Sequence, residues 1–216
     1  MTDASIEEYR EARAPSAYPV RLNIHYPERQ RRLTNFPFFV GYMIRVLLLT
    51  PHLLLLYPLC YLQFLAYFGS TFVITFRGRY PRGLFKLQVG ALRWQANISG
   101  YYLHLFDEYP PLDLDQRPER ALQFEVDYPD TPSRWLNAPF IGIFIKFVLV
   151  SPHLLILYGF GFVAVVVVFI SEVAILFTGR FPEGIFNLVV GYVRWTYRVY
   201  GYLSGFTDRY PPFSLS

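Results

Sequence analysis

Charge is the first thing that this sequence lacks. Only 17% of its 216 residues are Asp, Glu, Lys or Arg, whereas a soluble domain usually has about 25%. The deficit is concentrated in residues 36–76 and 138–177, which are almost entirely apolar. An apolar run of about 18 residues or more is long enough for a membrane helix. A chain this short cannot hide two such runs in a water-soluble core, so the sequence predicts an integral membrane protein.

Cysteine and lysine are also scarce. The one cysteine, Cys60, has no intrachain partner for a disulfide. The net charge of +4 comes from eighteen Arg and two Lys against sixteen acidic residues. These basic residues are dispersed and lie mostly at the ends of apolar segments, where arginine binds anionic lipid headgroups. We therefore expect membrane lipids as partners and no nucleic acid.

A secretory signal is missing as well. Residues 1–17 form a polar tail, whereas a signal needs a basic start that is followed directly by an apolar stretch. We expect the amino terminus to stay in the cytoplasm. The distribution of arginines between the terminal segments and the hairpin loops also favours cytoplasmic termini by the positive-inside rule.

An internal repeat is the main feature that the sequence does contain. Groups of residues recur at a shift of 101 positions, and an upstream group that includes Asn35 and Asn137 recurs at 102. The other matched groups are Thr50-Pro51-His52 with Ser151-Pro152-His153, residues 76–85 with 177–186, Val89-Gly90 with Val190-Gly191, Arg93-Trp94 with Arg194-Trp195, and residues 107–111 with 208–212. This pattern indicates a duplication. It divides the chain into the tail at 1–17, repeat one at 18–112, a linker at 113–120 and repeat two at 121–216.

The repeated motifs resemble a bacterial membrane family, the domain of unknown function family 4389, which often occurs in tandem. The resemblance covers nearly the whole chain after residue 17. Repeat two follows the family pattern more closely, because repeat one has Arg77 where the pattern has Thr and Glu108 where it has Arg. The resemblance implies a fold and a bacterial inner-membrane context, but no activity.

Each repeat begins with a segment of alternating polar and apolar residues, at 18–25 and 121–127. Alternation with a period of two predicts a half-buried strand, and the two strands could pair into a ribbon on the membrane surface. The apolar stretch that follows has about 40 residues, whereas one span needs about 20. We expect it to divide at Thr50-Pro51 and at Ser151-Pro152, because Ser or Thr caps a helix start and Pro is favoured in the first turn.

The expected fold class is therefore an all-α integral membrane protein. Each of its two tandem repeats has a short surface strand, an interfacial helix and a helical hairpin, which gives about four spans in total. The interfacial helices fall at 35–49 and 137–150, the first spans at 51–76 and 152–177, and the second at 82–106 and 183–206. The second helices carry a stripe of small and polar residues, so they either span or lie flat in the headgroups. Two spans in each repeat would give both repeats the same orientation.

Charged residues within the apolar segments are the candidate functional residues. Arg45 and Lys146 occupy matched positions, as do Arg93 and Arg194. They either reach lipid phosphates and internal partners or form an anionic headgroup or ligand site between the repeats. Glu172 is the one acidic residue in an apolar span.

We expect Glu172 to form an intramembrane ion pair, with Arg194 as the candidate partner and Arg180 and Arg198 as alternatives; a proton- or ion-coupled role is the other interpretation. His52 and His153 are matched residues at the predicted helix starts. They are expected to bind a nearby carbonyl rather than a metal, because no third and fourth ligand lies at a recognisable spacing.

No motif for catalysis, for phosphate binding or for a cofactor appears. The favoured interpretation is therefore a non-enzymatic membrane protein that acts by interaction, either as an accessory subunit of a larger membrane protein complex or as a lipid-organising scaffold. The alternative is a transporter or lipid-handling protein with an anionic-ligand site between the repeats. An enzyme that acts on membrane substrates is the third and least favoured interpretation.

Overall fold

The computed structural model describes residues 18–37 and 39–216. The chain forms, in order, β1 (Val20–Ile24), α1 (Val40–Arg77), α2 (Arg82–Tyr102), β2 (Leu122–Val126), α3 (Ile141–Thr178) and α4 (Glu183–Leu203). The matched elements of the two repeats have the same lengths. The fold is thus mainly helical and built from repeated pairs of elements. The tail at 1–17 lies outside the described residues.

The two predicted strands are present and form an antiparallel pair. Val20 faces Val126, Leu22 faces Phe124 and Ile24 faces Leu122. The apolar side chains of this ribbon point inward, and its polar residues remain partly exposed. Each strand packs against the second helix of the other repeat, with β1 on α4 and β2 on α2. The prediction of a paired ribbon is confirmed, and the exchange of strands joins the two repeats into one core.

The predicted division of the long apolar stretches is wrong. Both α1 and α3 are continuous helices of 38 residues, with Pro51, Pro58 and Pro152 inside them. A helix tolerates an internal proline when other groups satisfy the backbone carbonyls that the proline leaves free. The hydroxyl of Ser151 donates to the carbonyl of Val148 at 2.8 Å, which is the carbonyl that Pro152 deprives of its N–H partner.

The repeated Tyr-Pro-Pro motif supports the same region of each long helix. The hydroxyl of Tyr109 donates to the carbonyl of Leu48 at 2.8 Å, and that of Tyr210 donates to the carbonyl of Leu149 at 2.9 Å. These carbonyls lie just before the prolines. The motif therefore adds a hydrogen bond from outside the helix, one residue after the carbonyl that each of Pro51 and Pro152 leaves without its N–H partner.

The repeats point in opposite directions, which corrects the expectation of a common orientation. The loop between α1 and α2 lies at the end of α4, where the Tyr80 hydroxyl donates to the Ser204 carbonyl at 3.2 Å. The loop between α3 and α4 lies at the end of α2, where the Gln30 amide donates to the Gly179 carbonyl at 2.9 Å and the Gln30 side chain donates to the His104 carbonyl at 2.7 Å. Each hairpin loop thus meets the open end of the other hairpin.

The long helices form the apolar outside of the molecule. α2 lies between α1 and β2, and α4 lies between α3 and β1. Among the described residues, α1 and α3 are the two helices that are long and apolar enough to cross a membrane, and only 17% and 22% of their most apolar windows are buried. Leu54, Tyr57, Leu155 and Tyr158 are more than 70% exposed. An apolar surface of this extent is typical of contact with lipid or with another protein.

Candidate functional site

Arg45 is fully buried and holds together the open end of repeat one. Its guanidinium makes an ion pair with Asp107 at 2.6 Å and four further hydrogen bonds. These are donated to the carbonyls of Thr34 (3.1 Å), Tyr101 (2.6 Å) and Phe106 (2.8 Å) and to the side-chain oxygen of Asn35 (2.9 Å). Asp107 also accepts from the Arg31 amide and from Asn35. A planar guanidinium with five donors suits this arrangement.

Lys146 occupies the matched position in repeat two and makes fewer polar contacts than Arg45. Its ammonium donates to Asn137 at 2.7 Å and lies 3.9 Å from Asp208. Asp208 accepts from the Ser133 amide and from Asn137, as Asp107 does in repeat one. The Asp of the repeated Asp-x-Tyr-Pro-Pro motif therefore ties the end of each hairpin to the segment before its long helix.

Arg93 and Arg194 hold the exchanged strands in place. Arg93 donates to the Phe124 carbonyl in β2 at 3.2 and 3.1 Å and to the Leu114 carbonyl at 2.9 Å. Arg194 donates to the Leu22 carbonyl in β1 at 2.9 Å, to Leu215 at 3.3 Å and to the Asn23 side chain at 3.2 Å. All four basic candidates therefore contact protein groups, and they do not converge on one cavity.

The matched histidines lie within the long helices and not at helix starts. His52 accepts a hydrogen bond at Nδ1 from the indole N–H of Trp94, and His153 accepts one from Trp195, each at 2.9 Å. Both imidazoles are buried. Each pair joins a long helix to the second helix of its own repeat, so the Trp of the Arg-Trp motif is the partner that the sequence interpretation missed.

Glu172 does not meet Arg194. Its carboxylate is fully buried in α3 and lies 3.5 Å from Nδ1 of His104, just after α2. His104 was not among the expected site residues. The two residues belong to different repeats, and the contact forms only because the hairpins are inverted.

Two surface recesses lie between the repeats. One, of about 540 Å³, is lined by Arg29, Gln30 and Arg32 from repeat one and by residues 178–180 of repeat two. Within the described part of the chain, Arg29, Arg32 and Arg180 form no ion pair. The other recess, of about 800 Å³, is mainly apolar and lies between the end of α2 and the middle of α3 and α4.

Comparison with known proteins adds one finding. No curated protein matches the chain, and no solved structure matches it. Residues 141–214, which hold α3, α4 and the final Tyr-Pro-Pro motif, match the model of a family described as "Domain of unknown function (DUF4389)"; that model does not detect a second copy in the first half. Repeat two is thus similar to a family whose function is unknown.

Proposed function

We propose that the protein is a non-enzymatic membrane protein that acts by interaction, as an accessory subunit or as a lipid-organising scaffold. One observation carries this proposal: the basic residues of the apolar segments are used in internal contacts, whereas the outer faces of α1 and α3 are apolar and uncovered. Such a molecule offers a large apolar surface to lipid or to another membrane protein. Its setting is the bacterial inner membrane, as the resemblance implies, and repeat one is a diverged second copy of the matched domain.

The direction of the hairpins bears on how the protein sits in the membrane. Residues 103–128 run from the end of α2 to the loop between α1 and α2, where the Tyr128 hydroxyl donates to the Tyr80 carbonyl, and they include Asp113, Asp115 and Arg117. If the helices crossed the bilayer, this charged segment would have to cross it too, which is very unfavourable. We therefore place α1 and α3 along one leaflet, with their apolar faces in the lipid and the ribbon in water, instead of the four spans expected from the sequence.

Cysteine labelling tests this placement. In a Cys60→Ser background, single cysteines replace Arg79 and Arg180 in the two hairpin loops, and Asp127 in the ribbon. In sealed inner-membrane vesicles of each orientation, a membrane-impermeant maleimide should label all three from the cytoplasmic side. Labelling of the two loops from opposite sides would refute the placement in one leaflet, because inverted spanning hairpins would expose them on opposite sides.

Gentle purification in native lipid tests the mode of action. Mass spectrometry of the bound material should find a stoichiometric protein partner for an accessory subunit, or an enriched set of lipids for a scaffold. Recovery of the protein alone, with lipid of bulk composition, would refute both forms of the proposal.

The alternative is a lipid-handling or transport protein with an anionic-ligand site between the repeats. The recess that contains Arg32 and Arg180 favours it. Three arginines that have no ion-pair partner among the described residues line one space between the repeats, and guanidinium groups bind phosphate well. The double variant Arg32→Gln, Arg180→Gln should then lose retained anionic lipid. The matched control Arg117→Gln, Arg120→Gln removes the same charge from the linker and should retain it. Equal lipid retention in both variants would exclude this site.

A further inference from the structure

The contact between Glu172 and His104 occurs at only one of two equivalent places in the molecule. The residues just after α2 meet α3 here, and the equivalent place is defined by the matched positions of the other repeat. We call the first place the polar junction, formed by Tyr42, His104 and Glu172. Its counterpart has Ile143, Gly205 and Thr71 at the matched positions. The polar junction thus has ionisable side chains at three positions where its counterpart has none, so it is a feature of one side of the molecule and not of the fold in general.

At the polar junction, Glu172 and His104 contact each other at 3.5 Å but form no well-aligned hydrogen bond. Both are fully buried, yet among the described residues neither imidazole nitrogen and neither carboxylate oxygen has a hydrogen-bond partner. Buried polar groups in folded proteins are nearly always hydrogen-bonded. At the counterpart, the Thr71 hydroxyl is satisfied by the Phe68 carbonyl at 2.6 Å. A bound ligand or a shared proton would therefore satisfy these buried polar atoms.

The backbone also indicates a specific requirement for the histidine. His104 has φ of +60°, and the matched Gly205 has φ of +75°. A left-handed conformation suits glycine, and a residue with a side chain adopts it less readily. The structure keeps an imidazole at this position despite the preference for glycine. Its ring stacks on Tyr42 with the centroids 5.4 Å apart, which holds the ring beside Glu172.

The charges around the polar junction decide what it can bind. Arg45 of α1 is the cation that acts on both Glu172 and His104, but its charge is already compensated by Asp107 at 2.6 Å. The other titratable groups that face the junction are Tyr42 of α1 and Tyr102 of α2. A carboxylate without a donor or a compensating charge is very unfavourable when buried. Burial, and then the charge of Arg45, lower the pKa of His104 far below its usual range, so the imidazole accepts a hydrogen bond rather than carrying a charge.

We propose that Glu172 and His104 form a proton-binding site at the contact between the two repeats. The pair holds one proton between Oε1 of Glu172 and Nδ1 of His104, which keeps the junction neutral. A shift of about 0.7 Å would shorten their 3.5 Å separation to a normal O–H···N distance. A metal ion fits less well, because no group of three or more His, Cys, Asp or Glu side chains is gathered in the described residues.

Infrared and nuclear magnetic resonance spectra measure the protonation states of Glu172 and His104, and so test whether the pair holds one proton. The protein, in lipid bilayers at neutral pH, is compared with Glu172→Gln by infrared difference spectroscopy, and its histidines are labelled with ¹⁵N. We expect a carboxylic acid C=O band that Glu172→Gln removes, together with a neutral His104. Replacing the half-buried Glu125 of the ribbon, which lies 3.6 Å from Arg21, by Gln is the matched control and should remove no such band. The wild-type ¹⁵N spectrum does not depend on the folding of any variant.

The remaining outcomes are equally decisive. An imidazolium with an ionised carboxylate also holds one proton and supports the site. A neutral His104 with an ionised Glu172, or a protonated Glu172 with an imidazolium, would give zero or two protons and overturn it. His104→Gly, which restores the residue of the other repeat, should shift the C=O band to higher frequency because the acceptor is lost. An unchanged band would remove His104 from the site and refute the proposal.

Discussion

Replacing Arg45 by Met should destabilise the protein far more than replacing Lys146 by Met. The two residues are matched, fully buried and placed at the open ends of the two hairpins. Arg45→Met removes the ion pair to Asp107 and four other hydrogen bonds, and it leaves a carboxylate and three carbonyls without this partner. Breaking a buried ion pair from one side costs about 3–5 kcal/mol.

Lys146→Met removes one hydrogen bond at 2.7 Å and a longer contact of 3.9 Å to Asp208. Loss of one buried hydrogen bond to a charged group costs about 1–3 kcal/mol. The two variants thus compare the hydrogen-bond network of Arg45 with that of Lys146 in one protein. Both side chains are fully buried, and both are replaced by Met.

The assay is the free energy of unfolding in mixed micelles, followed by tryptophan emission during denaturant titration. A destabilisation by Arg45→Met that is no greater than that by Lys146→Met would refute the reasoning, because the number of internal partners would then not determine stability. Arg45→Lys adds a check. It keeps the charge but cannot reach the same set of acceptors, so it should recover only part of the loss.

Two further predictions concern stability. Trp94→Phe and Trp195→Phe should each lower the free energy of unfolding by about 1–2 kcal/mol, and by similar amounts, since each leaves a buried histidine acceptor unpaired; Trp135→Phe, at a side chain that is 82% exposed, should change it little, and an equal loss there would contradict the assignment. Gly201→Ala should cost about 1–3 kcal/mol in the same assay, because its methyl would lie 2.5 Å from a methyl of Val20 in β1. Gly184→Ala is the control with no atom within 4 Å, and a comparable loss in both variants would show that strand contact is not the cause.

The elements that could be predicted are those whose signals are local. The strands follow from alternation, and the second helices follow from their start after Tyr80-Pro81 and Phe181-Pro182. The continuity of α1 could not be predicted, because a Thr-Pro pair is compatible both with the start of a helix and with a proline inside one. One group that supports the helix near Pro51, the Tyr109 hydroxyl, is 61 residues away from the Leu48 carbonyl that it contacts, so no local signal shows it.

The candidate site could be predicted only in part from the sequence, because its residues come from both repeats. A repeat spacing of 101 fits parallel and inverted hairpins equally well, and the partner of Glu172 differs between the two arrangements. One signal was nevertheless present in the sequence. His104 and Glu172 are among the positions where one repeat has an ionisable residue and the other does not, with Gly205 and Thr71 as their counterparts. Differences between repeats therefore carry information about function that the matched motifs do not.

The exchange of strands has a consequence for the origin of this architecture. β1 packs on α4 and β2 packs on α2, so each half of the chain supplies a strand to the hydrophobic core of the other half. A polypeptide with a single copy would have to find a second molecule before its strand was covered. The duplicated chain thus has the arrangement that joining the two subunits of a strand-exchanged homodimer would produce, and within one chain the two equivalent junctions can carry different residues, as Glu172 and Thr71 do.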